Sequence, residues 1–310
     1  MSYIFEALQR AEAERTGGTA ALRAETVADL VQEIERVEQK VARIEVPAPA
    51  EVAIAPAAAP ERSTGEPFAA AKAVVPKLAS DSRLICMSDQ GSLAAEQFRV
   101  LGLKLRHLRE RRKLKRIVVT GTAPQEGKSL VAANLALNQA RSKVLKTLLV
   151  DGDLRRPTLA GRFGLDRSMP GLSECLAGEQ ELAGSVYRIS GSGLWLMPAG
   201  RPPENPLELM QAGRIPELLD RLGTFFDWII IDTPPVTPVA DTSFWMKLAD
   251  GVLVVIREGV SEKKIVEKAM SSFDRSALLG IVVNSCRSSE RKDYYARYGQ
   301  TGRSGENSPE

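Results

Sequence analysis

From residue 116 onward the chain alternates short, near-continuous apolar runs with longer segments whose apolar residues recur at helical spacing. The runs predict strands over 116–121, 146–151, 193–198, 227–232, 251–256 and 279–284, with helices over 128–142, 206–222 and 261–274 between them. Runs such as Trp228 to Ile231 and Val252 to Ile256 lack the polar alternation of a half-solvated strand, so they suit a parallel sheet covered on both faces. The predicted fold is α/β, a mostly parallel sheet flanked by helices, with ligand sites at the carboxyl ends of its strands.

Upstream the pattern changes twice. Residues 1–46 read as a helical N-terminal segment. Ile4, Leu8 and Ala11 share one face, and Val27, Leu30, Ile34, Val37, Val41 and Ile44 form a short heptad seam. Dimerisation, docking on a partner and folding back on the chain's own domain all fit that seam. Residues 47–80 are rich in alanine and contain Pro47, Pro49, Pro56, Pro60, Pro67 and Pro76, a composition that favours an extended linker. The main domain is expected over 81–290 and a flexible tail over 291–310. Just before the first strand, Lys104 to Arg116 holds eight Lys or Arg against one Glu. It reads as a solvated amphipathic helix with Leu101, Leu105 and Leu108 inward. An acidic partner or an anionic membrane surface is the other use for such a face.

Composition narrows the chemistry. A net charge of +3 gives no bulk attraction for nucleic acid, and none is expected as a partner. Cys86, Cys175 and Cys286 are isolated, without the spacing of a zinc site or a disulfide framework. The one histidine, His107, lies outside every motif, which disfavours His-based acid/base or metal chemistry. No run reaches the length of a membrane span, and the N-terminus lacks the pattern of a secretory signal, so a cytoplasmic protein is expected.

Three segments carry the chemistry. Thr120 to Ser129 joins the first strand to the first helix of the domain and ends in Gly127-Lys128-Ser129. Backbone N–H groups at a helix start, a lysine and a hydroxyl together suit the phosphates of a nucleotide and its magnesium ion. The strict phosphate-loop pattern wants glycine at 122; here Thr122 stands there and Gly121 lies one place early. The candidate nucleotide contacts are Thr122, Ala123, Pro124, Gln125, Glu126, Gly127, Lys128, Ser129 and Leu130, with Asn284 a candidate for the adenine edge. Asp151 and Asp232 end apolar strands and, with Ser129, are the candidate Mg²⁺ ligands.

With these residues the chain resembles the bacterial tyrosine kinases (BY-kinases) of the CpsD/CapB type, P-loop kinases associated with exopolysaccharide synthesis. The similarity spans 80–300. Thr122 to Ser129 is similar to the family's Walker A, Val150 to Arg155 to its Walker A′ and Ile229 to Pro235 to its Walker B, while Ala199 to Leu209 looks like its segment after the third strand. The extra lysine near the start of the loop in MinD/ParA-type relatives has no counterpart here.

The resemblance implies an ATP-dependent protein-tyrosine autokinase that uses Mg²⁺ and regulates exopolysaccharide or capsule synthesis. It implies catalytic roles for Lys128, Asp153 as the base and Arg155 as a neutralising charge, and phosphoacceptors in Tyr294, Tyr295 and Tyr298. It also implies self-association and a separate membrane-spanning polysaccharide copolymerase or activator that brings the protein to the inner face of the plasma membrane. The family's oligomerisation motif E-x-x-R-x-x-R appears as Glu96, Arg99 and Gly102, so its last arginine is absent. A MinD/ParA-like switch ATPase and a nucleotide-binding scaffold without catalysis are the competing functions.

Overall fold

The computed structural model describes residues 68, 71–142, 144–236, 240–258, 261–271 and 276–285. The heptad segment, most of the linker and the tyrosine cluster lie outside these residues. The elements begin with β1 (Ala73–Val74), α1 (Ile85–Ser88), α2 (Leu93–Arg111), β2 (Arg116–Gly121), α3 (Lys128–Gln139), β3 (Thr147–Asp151) and α4 (Leu159–Arg162). They continue with α5 (Leu172–Ala177), a 3-10 turn (Leu182–Ser185), β4 (Tyr187–Ile189), β5 (Leu194–Met197), α6 (Pro206–Gln211) and α7 (Arg214–Phe225). The last are β6 (Trp228–Asp232), α8 (Ala240–Leu248), β7 (Gly251–Arg257), α9 (Lys263–Ser271) and β8 (Leu278–Asn284).

One sheet runs in the order β1-β4-β5-β3-β6-β2-β7-β8. Its pairings are parallel except for β4 against β5. The apolar runs explain the centre. Ile229 and Ile231 of β6 join one buried cluster, while Trp228 and Ile230 join the cluster on the opposite face, and Val118 is likewise separated from Ile117 and Val119 in β2. Each such side chain contributes about 1.5–3 kcal/mol by leaving water, which is why no polar residue interrupts the runs.

The predicted strands all form, with ends displaced by at most one residue. Three other expectations change. The helix expected over 206–222 is two helices, because Gly213 adopts the left-handed conformation (φ 82°) between α6 and α7. The antiparallel strand β4 went unrecognised; three residues are too few to show a period, although Gly191 and Gly193, both at positive φ, mark the turn that follows it. Residues 72–80, placed by composition in the linker, instead bring β1 onto the sheet edge, where Ala73 and Val74 pair with Arg188 and Ile189. Among the described residues, no helix is long and apolar enough to cross a membrane.

The basic stretch begins in α2, which carries Lys104, Arg106, Arg109 and Arg111, and continues through the connection into Arg116 of β2; α2 opens with the Ser92 hydroxyl accepting from the Ala95 N–H. Leu105 is buried and Leu101 and Leu108 pack beside it, as expected. Gly102 is buried against α3, and a Cβ there would come within 2.2 Å of Asn138 Nδ2.

Candidate functional site

The site forms where β2, β3 and β6 end side by side. β2 delivers the loop 122–127, and Gly127 starts α3 in the left-handed conformation (φ 93°) that glycine adopts without penalty. A Cβ on Gly127 would stand 2.2 Å from Asn284 Nδ2. Gln125 is also left-handed (φ 64°), which for a residue with a Cβ costs on the order of 1–2 kcal/mol. The surrounding bonds must therefore hold the loop in shape.

Lys128 is mostly buried, and its Nζ donates to the Ala123 carbonyl (2.8 Å). Burial lowers its pKa, opposed by the charges of Glu126, Asp232 and Asp153. Asp151 and Asp232 are register partners on adjacent strands, and both are fully buried. Asp151 Oδ2 accepts from Thr158 N–H (3.1 Å) and Leu159 N–H (2.9 Å), the start of α4. Burial nevertheless pushes its pKa up to about 7, with Asp153 adding to the rise. Asp232 is raised well above the carboxylate range by burial and then by the charge of Asp151, and the Ser129 hydroxyl hydrogen-bonds to it.

Asp232 Oδ1 is buried without a hydrogen-bond partner. Two adjacent buried carboxylates, one with an unmet oxygen and a hydroxyl beside it, fit a hard divalent cation. Ser129, Asp151 and Asp232 would hold it. Among the described residues no group of three or more His, Cys, Asp or Glu is placed to share a metal ion. That leaves phosphate oxygens to complete the coordination, the usual situation for Mg²⁺.

The neighbours of this centre are arranged differently from their sequence roles. Asp153, half-buried, accepts from the Arg156 N–H (2.9 Å), and burial raises its pKa. Arg155 is already engaged: Nε and Nη2 donate to the two oxygens of buried Asp241 (2.7 and 3.2 Å). Asp241, in the first turn of α8, had no motif to point to it. Thr122 and Ala123, expected to offer their amides to the ligand, donate them to Glu126 Oε2 instead (2.7 and 2.9 Å). Asn284, expected at the adenine edge, donates through Nδ2 to the Glu126 carbonyl (2.9 Å). Behind the loop, the hydroxyls of Thr120 and Thr242 both donate to the Pro234 carbonyl (2.7 and 2.8 Å), which fixes the turn after β6. Gly152 allows β3 to approach β6; a Cβ there would lie 2.8 Å from the Asp232 carbonyl.

Loop, lysine and strand-end carboxylates define a P-loop nucleotide-binding protein of the α/β class. No protein-family model matches the chain. Tyrosine-protein kinase YwqD of Bacillus subtilis (strain 168) is 33% identical over 213 residues, covering 68% of this chain and 89% of its own length. Tyrosine-protein kinase CpsD of Streptococcus agalactiae is 32% identical over 189 residues, 60% of this chain and 81% of its own. Among solved structures, the chimerical protein CapA2B2 superimposes with a TM-score of 0.63 at 32% identity, covering 69% of this chain and 95% of that one. The kinase domain of the Escherichia coli tyrosine kinase ETK gives 0.61 at 28% identity, covering 66% and 82%. The chain belongs to the bacterial tyrosine kinase family and is a protein-tyrosine kinase.

Proposed function

We propose that this chain is an autokinase that moves the γ-phosphoryl group of Mg-ATP to tyrosines of its own C-terminal segment, Tyr294, Tyr295 and Tyr298. The observation that carries the proposal is the meeting of Lys128, Ser129, Asp151 and Asp232 at one loop, with Asp232 Oδ1 unpartnered. Lys128 and the amides at the start of α3 bind the β- and γ-phosphates. Ser129, Asp151 and Asp232 hold Mg²⁺, which when bound offsets charge on the phosphate oxygens. Asp153 orients the acceptor hydroxyl and takes its proton as the tyrosyl O–P bond forms and the bond to ADP breaks. Burial raises its pKa and so brings it closer to that of a useful base at neutral pH. Arg155, held by Asp241, supplies a fixed positive charge close enough to feel Asp153.

The family resemblance supports a role in exopolysaccharide or capsule synthesis with a membrane-spanning activator as partner and attachment to the inner membrane face through it. Tyrosine-protein kinase wzc of Salmonella typhimurium supports this in one respect: it matches 69% of this chain at 32% identity, yet the match covers only 30% of wzc. The kinase region of that relative is thus joined to much additional chain.

Incubation of the purified protein with Mg-ATP, beside Lys128→Met, tests the proposal by locating phosphate with mass spectrometry. Phosphate on Tyr294, Tyr295 or Tyr298 in the wild type only is the expected result. Equal labelling of a folded Lys128→Met protein overturns the site. Hydrolysis of ATP without phosphotyrosine, even with the cytoplasmic part of an activator added, favours the switch ATPase.

A further inference from the structure

The residue before Gly127-Lys128-Ser129 is the most heavily bonded side chain of the loop. Glu126 is fully buried. Its Oε2 accepts from the N–H groups of Thr122 (2.7 Å) and Ala123 (2.9 Å), and its Oε1 accepts from the hydroxyls of Thr122 (2.5 Å) and Ser261 (2.6 Å). A carboxylate offers about four acceptor positions, and here four donors meet them. Two of those donors are backbone amides of the loop itself, so the side chain closes the loop into a ring. Ser261 lies outside it, on the connection between β7 and α9, and its Oγ also accepts from the Arg257 N–H (2.9 Å).

Two further bonds brace the peptides on either side of Glu126. Asn284 at the end of β8 donates to the Glu126 carbonyl, and Arg257 Nη1 donates to the Gln125 carbonyl (3.3 Å). The glycine displaced to 121 is explained by the same carboxylate, because a Cβ there would lie 2.2 Å from Glu126 Oε2 and 2.7 Å from the Val255 carbonyl. Thr122 suits the next position because its hydroxyl is one of the four donors.

We infer that Glu126 is the positioning residue of the phosphate loop, and that Ser261 acts through it to tie the loop to the β7–α9 connection. The inference rests on the nucleotide reading of the loop. With Thr122 and Ala123 engaged and Pro124 lacking an N–H, the amides from Gln125 to Ser129 are the ones the phosphates would meet. Glu126 keeps those amides aligned against the left-handed strain at Gln125. Its side chain points to the loop's own donors and Ser261, away from the reacting atoms, so its loss weakens phosphate binding more than turnover.

The test measures binding of a fluorescent ADP by anisotropy, kcat and KM for ATP, and Tm. The proteins are wild type, Glu126→Gln, Glu126→Ala, Ser261→Ala, Ser261→Thr and the double variant Glu126→Ala/Ser261→Ala. Losing hydrogen bonds to a charged group predicts at least about tenfold weaker ADP binding and a similarly raised KM in Glu126→Ala, with kcat within about threefold. Glu126→Gln, whose amide nitrogen cannot accept, falls between. Ser261→Ala weakens binding by about threefold, Ser261→Thr restores it, and the double variant is no worse than Glu126→Ala alone. Wild-type ADP affinity in Glu126→Ala, or full additivity in the double variant, overturns the inference. If Glu126→Ala does not fold, Glu126→Gln and the serine pair decide it by the same criteria. A wild-type protein that binds no ADP refutes the nucleotide reading itself, and the inference with it.

Discussion

Asp151 and Asp232 stand opposite each other in the β3–β6 register, both buried, and only Asp151 has its carboxylate bonded to backbone amides. The unmet oxygen therefore belongs to Asp232. Repulsion between the pair and loss of hydration both favour a proton or a cation in their place.

From this asymmetry, Asp232→Asn is expected to remove Mg²⁺-dependent binding of ATP while leaving Tm unchanged or raised, since it deletes one of two buried like charges. Calorimetric titration with Mg-ATP and thermal denaturation without Mg²⁺ are the measurements. A marked drop in Tm would mean that Asp232 has a structural partner instead.

Protons compete with Mg²⁺ at this pair. The folded pKa of Asp151, about 7, lies above its ordinary value of 3.8, so its ionisation costs stability progressively as pH rises toward and through 7. A bound cation relieves that cost, and Mg²⁺ should raise Tm more at pH 8 than at pH 6. Apparent Mg²⁺ affinity should fall as the pH is lowered from 8 to 6, because protons compete for the same carboxylates. An affinity that does not change over that range would show that no proton is held at this pair near neutral pH.

Asp153→Asn keeps the side chain's shape and its capacity to accept from Arg156 N–H, but removes the base. ATP affinity should stay within about threefold while phosphoryl transfer falls by about 100-fold or more. Single-turnover transfer and equilibrium ATP binding separate the two, and an unchanged transfer rate would strike Asp153 from the base role.

Arg155 is tied to Asp241, so its removal acts on stability as well as on charge at the site. Losing one partner of a fully buried pair costs about 3–5 kcal/mol. Because the Arg155 side chain is 44% exposed, solvent screening reduces the expected loss in Arg155→Ala to about 1–2 kcal/mol. Adding Asp241→Asn should recover stability but not activity if Arg155 also serves transfer. Denaturant unfolding and steady-state kinetics on the same two variants check this.

At position 102 any larger side chain would meet the Asn138 amide. Gly102→Arg would rebuild the family's E-x-x-R-x-x-R pattern but place a Cβ 2.2 Å from Asn138 Nδ2. Overpacking of this kind costs about 1–3 kcal/mol, so a lower Tm is expected. A stable variant that forms a larger assembly in light scattering would instead show that Asn138 gives way easily.

Features that depend on local pattern are legible along the chain. Uninterrupted apolar runs such as Trp228 to Ile231 can only be buried on both faces, and that alone implies a parallel, helix-covered sheet. Gly127-Lys128-Ser129 at a strand-to-helix junction marks the loop, and the strand-final Asp151 and Asp232 mark its companions, because strand order puts carboxyl ends together. Features that depend on partners distant along the chain emerge only when the strands and helices pack together. Glu126 meets Ser261 across 135 positions and Arg155 meets Asp241 across 86, and no spacing rule foretells either. Asn284 bonds the loop's backbone because β8 ends beside it, and β1 and β4 are too short to show a period and exist as strands only through their pairing. A short motif encodes which atoms are offered, but the packing of separate strand ends selects the partner each atom finds.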